Sequence, residues 1–225
     1  MYPENLGMCQ PFPMSNRGRP PLISDEAILE GALSAFAASG FSAMSVRALN
    51  ADLGLSHETI SKRFGPKIEL FRAAVGFGVA QFVADFDNEM GATGDSGSTD
   101  DLVVLRRSVR ALMVAMSRNH ALGELLHHGG IDESERVVLL GGSGLGDRLA
   151  ERVALLDRLH AAGIIRETRI RDLWFLAQGA VAPLHFRELS KTFDPFDGPI
   201  EADEHIDRMT GAIMRSMGVE DYPVL

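Results

Sequence analysis

Residues 45–64 read SVRALNADLGLSHETISKRF. Val46, Leu49 and Leu53 recur at helical spacing, Gly54 interrupts the pattern, and a second short run from Ser56 carries Ile60 and Phe64. The pattern predicts two short helices joined by a tight glycine turn, with Leu55 filling the angle between them. In a helix-turn-helix of this kind the second helix is the one that enters the major groove of DNA. It should expose His57, Glu58, Thr59, Ser61, Lys62 and Arg63, while Ile60 and Phe64 hold it to the first helix. These polar groups can donate and accept at base edges, and Lys62 and Arg63 can also neutralise phosphates. Ser45 and Ser56 sit where caps are needed, and Arg47 lies in the first turn of the first helix, so all three join the candidate DNA contacts.

The flanks extend this unit in both directions. Residues 1–21 hold five prolines and no helical periodicity, so they read as a flexible arm ending in Arg17-Gly18-Arg19-Pro20. A basic arm beside a helix-turn-helix can place Arg17 and Arg19 in a minor groove. Ser24 is a good N-cap with Asp25 and Glu26 in the first turn behind it, and Ile28, Leu29, Ala32, Leu33 and Phe36 mark the buried face of a helix closed by Gly40. Pro66 suits the first turn of a further helix, and Lys67 at that helix start suits a phosphate. From Lys67 the pattern runs through Ile68, Phe71, Val75, Phe82 and Phe86 to about Met90, joining the motif to the rest of the chain.

The overall charge argues at first against such a partner. The 225-residue chain carries a formal net charge of −9. Residues 1–72, however, hold seven basic and seven acidic groups, so the whole excess of acid lies beyond them. An acidic remainder would be repelled by DNA and would orient the approach with the N-terminal part first. A single cysteine, Cys9, excludes an intrachain disulfide and favours a reducing compartment. No apolar run approaches the ~20 residues of a membrane span, and the first residues lack the basic and apolar regions of a secretory signal. The expected location is the cytoplasm.

With these residues together, positions 17–71 resemble the DNA-binding domain of the tetracycline-repressor (TetR) family of bacterial transcription regulators. Arg17-Gly18-Arg19-Pro20, Ile28 with Ala32 and Phe36, Gly40-Phe41, Ser45-Val46-Arg47, Leu49, Leu53-Gly54-Leu55-Ser56, Ile60, and Phe64 with Lys67 and Leu70 carry the likeness. The resemblance implies a dimer whose all-helical C-terminal part holds a small-molecule pocket. It also implies that ligand binding moves the helix at residues 67–90 and changes the spacing of the two recognition helices. Two departures stand out. Asn50 takes the place of a small alanine between the helices, where it either loosens the packing or hydrogen-bonds locally. Ser61 and Arg63 replace aromatic residues common on the recognition helix.

Beyond residue 90 the glycine- and serine-rich residues 91–99 read as a loop. Helical periodicity then returns at Leu102–Met116, Ala121–His128, Glu135–Ala162 with an interruption at Gly141–Gly144, Asp172–Leu189 and Glu201–Met217. No alternating strand pattern or repeat is present, so the class is all-α: an arm over 1–21, a three-helix helix-turn-helix domain over 22–70, and a larger helical ligand-binding and dimerisation domain over 71–225. Phe77, Phe82, Phe86, Met90, Met113, Met116, Trp174 and Phe175 supply aromatic and thioether surface for an adaptable pocket, although the same pattern also describes ordinary core. Ala177, Ala180, Val181 and Leu184, with Ile206, Met209, Ile213 and Met217, form stripes that suit either a dimer seam or core.

Two sharper readings are weaker. The glycine-rich turn at 141–146 suggests a nucleotide-using enzyme, but Asp147 stands where a dinucleotide fingerprint needs a third glycine or alanine. His120, Glu124 and His127 or His128 share a helix face and could hold a metal, but no further ligand spacing points to the same place. The reading is therefore a dimeric, ligand-responsive regulator of transcription, a repressor of a palindromic operator, with no cofactor and no catalytic residue.

Overall fold

The computed structural model describes residues 23–92, 100–127 and 144–219, the side chain of His127 excepted. Among these residues every regular element is helical. Helix α1 spans Asp25–Ala43, and Ser24 caps it by accepting the Ala27 N–H at 3.2 Å. Gly40 adopts φ 72° and ends the helix proper as the sequence predicts, and residues 41–43 form only a turn before Met44 donates back to its carbonyl. Ser45 caps α2 (Val46–Asp52) through the Ala48 N–H at 3.3 Å. Gly54, at φ 66°, makes the turn to α3 (Thr59–Phe64). Ser56 begins no helix of its own; its hydroxyl meets that of Thr59 at 2.7 Å, so α3 starts three residues later than the sequence suggests.

Helix α4 runs unbroken over Lys67–Ala92. Its N-terminal half packs on α1 through Phe71, which meets the rings of Phe36 and Phe41 edge-on at 5.0 and 5.2 Å. Farther along, Gly78 lets α1 approach: a Cβ there would lie 2.7 Å from Leu33 Cδ2. Helix α5 (Asp101–Arg118) lies at the centre and buries Leu105, Val109, Met113 and Met116, packing against α4 and against α7 (Leu145–Ala161), α8 (Ile170–His185) and α9 (Ala202–Ser216). Short helical turns at Arg187–Ser190, Lys191–Phe193 and Asp194–Asp197 connect α8 to α9. Arg110 ties three helices together by holding Glu89 of α4 and Asp207 of α9, the latter at 2.7 Å.

Helix α6 (His120–His127) is short but central to the architecture, because one side packs on α1 and another on α4 and α5. The two stripes read as core or dimer seam are largely buried within the chain, with Ala180, Leu184 and Met209 only partly covered. Ala177 and Val181 of α8 and Ile206, Ile213 and Met217 on or beside α9 are buried within one chain. Other apolar side chains are exposed, among them Phe175 and Leu176 of α8, then Phe186, Leu189, Phe193 and Phe196. No helix among the described residues is long and apolar enough to cross a membrane.

Candidate nucleic-acid interface and ligand chamber

The helix-turn-helix is built around Asn50. Its side chain is fully buried, donates to the Val46 carbonyl at 2.9 Å and the His57 carbonyl at 3.2 Å, and accepts the Ile60 N–H at 3.3 Å. Its own carbonyl accepts the Leu55 N–H at 2.7 Å. One amide thus satisfies backbone groups on α2, in the turn and on α3, which settles the two options for this position in favour of local hydrogen bonding. Ile60, 0% exposed, fills the angle from the other side.

Held this way, the turn presents His57 and Glu58 and α3 presents Ser61 and Lys62 to solvent, with Thr59 partly covered and Arg47 exposed on α2. Lys62 pairs with Glu58 at 2.7 Å across an open surface, a contact that DNA phosphates can displace at little cost. The two remaining cations are placed differently from expectation. Arg63 turns back to α1, where it donates to the Ile23 carbonyl at 2.8 Å and pairs with Asp25 at 3.1 Å. Lys67 donates to the Ser42 carbonyl at 3.1 Å and lies 4.9 Å from the Phe41 ring centroid. Both fasten the helix ends to α1, a contact between residues distant in sequence that spacing within a helix cannot reveal. Arg17 and Arg19 lie outside the described residues.

Between α4, α5, α6, α7 and α8 lies a chamber of about 550 Å³. Val79, Phe82, Met116, Leu122, Leu145, Trp174 and Val181 make its apolar wall, and Phe175 and Phe186 also border it. Of the pocket residues expected from sequence, Phe82, Met116, Trp174 and Phe175 are therefore present. Phe86 instead lines an adjoining nook of about 40 Å³ that shares Phe82, Leu145 and Trp174 with the chamber. Met113 is wholly buried in the core, and Met90 receives the Ser108 hydroxyl at its sulfur, so neither methionine lines the chamber. Position along the helix explains the difference: Met113 and Met116 share a face of α5, but only the latter, one turn farther on, reaches the end where α6 begins.

The polar end of the chamber was less legible. Asn119, His120, Glu124, Gln178 and His185 converge there from α5, α6 and α8. His120 faces Glu124 at 3.2 Å and stacks on His185 with ring centroids 4.1 Å apart. His120 and Glu124 thus do come together, but among the described residues no three His, Cys, Asp or Glu side chains form a group that could hold a metal. His185 Nε2 meets the Ser117 carbonyl at 3.3 Å. Burial, and secondarily the neighbouring His120, push its pKa below the ordinary imidazole value. The unfolded chain therefore takes up this proton below pH ~6.5 before the folded one does, so stability falls on acidification through that region. His185→Gln is expected to flatten this acid limb in a plot of Tm against pH. An unchanged limb would place the proton uptake elsewhere.

The glycine-rich turn is only partly within the described residues. Gly144, at φ 71°, opens α7, and a Cβ on it would meet the Arg148 guanidinium at 2.8 Å; Arg148 in turn donates to the Gly144 carbonyl and holds Asp87. That side of the turn is filled by the chain's own side chain.

Residues 28–74 match the family described as bacterial regulatory proteins, tetR family. This stretch, which holds the helix-turn-helix, is thus similar to the N-terminal domain of TetR-family regulators. Among solved structures it is similar to the TetR-family regulator PfmR from Thermus thermophilus, at 25% identity over 84% of this chain and 97% of that one, with a TM-score of 0.55. It is also similar in fold to AibR, solved with isovaleryl coenzyme A and operator DNA, at 19% identity over 83% and 95% of the two chains and a TM-score of 0.59. No curated protein gives a significant match. The match begins at Ile28 and ends at Ala74, so it takes in Asn50, α3 and the start of α4 and stops short of the chamber.

Proposed function

We propose that the chain is a TetR-family repressor that binds a palindromic operator as a dimer and is released by a small, largely apolar ligand held in the chamber. The observation that carries the reading is the double role of α4 and α6. Both line the chamber through Val79, Phe82, His120 and Glu124, and both pack on α1, which holds the helix-turn-helix. A ligand that favours one arrangement of α4 and α6 would shift α3 with them, by at most its ratio of affinities for the two arrangements. AibR, solved with operator DNA and an acyl-coenzyme A in one complex, supports joining the two activities. Exposed Phe175, Leu176, Leu189 and Phe196 suit cover by a second copy, and a two-fold protein suits two half-sites.

On this reading the arm over 1–21, the DNA-binding unit over 22–70 and the ligand unit over 71–225 act in a reducing cytoplasm without a cofactor. His57, Glu58, Thr59 and Ser61 read base edges, Arg17 and Arg19 reach the minor groove, and Ser45, Arg47, Ser56 and Lys62 orient the unit on the backbone. Arg63 and Lys67 act on DNA by fixing α3 and α4 to α1. Selection of bound duplexes from a random pool tests the whole. A palindromic consensus, bound less tightly as salt rises, is expected, and sequence-independent binding or none would overturn the reading. Arg47→Ala should weaken binding to all duplexes and lower the salt slope by about one.

A further inference from the structure

Among the described residues, the lining of the chamber contains one carboxylate, Glu124, which faces His120 at 3.2 Å, and a second histidine, His185, but no lysine or arginine. His185 is committed to the Ser117 carbonyl at the C-terminal end of α5, where helix carbonyls leave negative potential. The aromatic side chains of Phe82, Trp174, Phe175 and Phe186 border the same space, with the ring centroids of Phe82 and Trp174 5.9 Å apart. We propose, resting on the reading of the chamber as the effector site, that it selects lipophilic cations, with the apolar body against Phe82 and Trp174 and the cationic head between Glu124 and the aromatic rings.

An anion entering this chamber would leave water for a wall whose described residues include no lysine or arginine and would face a carboxylate. A cation meets that carboxylate and the negative ring faces together. The arginines of the adjoining nook do not reverse this balance. Arg148 and Arg152 border only the adjoining nook, where Arg148 holds Asp87 and Arg152 donates to the Ser108 hydroxyl at 2.8 Å and to Glu151 at 3.2 Å. The Arg152 Nε makes no hydrogen bond, which singles out this residue as the competing seat for an acidic head. The same considerations separate this chamber from one suited to a coenzyme A thioester, whose phosphates require cations.

Three probes with one body and different heads test the proposal: phenylbutyltrimethylammonium, phenylbutanol and phenylbutyrate. Calorimetric titration into the full chain should give the order cation, alcohol, carboxylate. Glu124→Gln, checked for an unchanged melting profile without probe, should weaken the cation about tenfold and leave the alcohol unaffected. Tightest binding by phenylbutyrate, weakened by Arg152→Met, would overturn the proposal and seat the head in the nook. Equal binding of all three probes, lost in Trp174→Ala, would overturn charge selection while leaving the chamber as an effector site. Binding by none would count against both.

Discussion

Asn50→Asp is expected to abolish operator binding and to lower stability by about 3–5 kcal/mol, the scale of an uncompensated buried charge. The native amide presents its NH₂ to two carbonyls, those of Val46 and His57, and its oxygen to the Ile60 N–H. Aspartate keeps the oxygen but turns the donor into a second acceptor, so two carbonyls confront a carboxylate in a site with no solvent access. Asn50→Ala removes the same bonds without adding a charge and should cost about 2 kcal/mol. Urea denaturation of both variants beside the wild type measures the difference, and duplex binding below the transition reports whether α3 is still held. Equal stability of the aspartate variant and the wild type would show that the turn tolerates another arrangement.

Phe71→Ala should destabilise the chain by about 3–5 kcal/mol, the usual range for truncating a buried aromatic residue. Phe71 is 1% exposed, and its ring is the one that both Phe36 and Phe41 contact edge-on. It lies on the first turns of α4, where that helix passes from α3 to the body of the protein, so the cavity would open between α1 and α4. The Lys67 contacts to Ser42 and Phe41 lie one turn earlier and should loosen with it. A two-phase melt, with helical signal lost in the first phase and operator binding lost at the same temperature, is expected. A single wild-type-like transition would show that the triad can repack.

Local signals carried much of the N-terminal architecture. A serine ahead of an acidic first turn, a glycine with no Cβ to oppose positive φ, and apolar residues at helical spacing each act within a few residues of themselves. Ser24, Ser45, Gly40, Gly54 and the core series Ile28, Ala32 and Phe36 could therefore be read directly, and the structure places them as expected. The long helix from Lys67 was legible for the same reason, since its apolar residues keep helical phase over its whole length.

Tertiary structure decided what depends on two helices meeting. Asn50 is equally polar whether it loosens a joint or pins it, and only the positions of Val46, His57 and Ile60 around it make it a pin. Arg63 and Lys67 are cations at suitable helix ends for phosphate, yet Ile23, Asp25 and Ser42, far off in sequence, come close enough to claim them. Met113 and Met116 share composition and helix, but burial by neighbouring helices separates core from chamber wall. His120 and His185 stack although 65 positions separate them. The sequence by itself determined the helices and the turn that presents α3; packing alone determined which side chains remain for DNA and ligand, because contact between distant residues leaves no periodic trace in the chain.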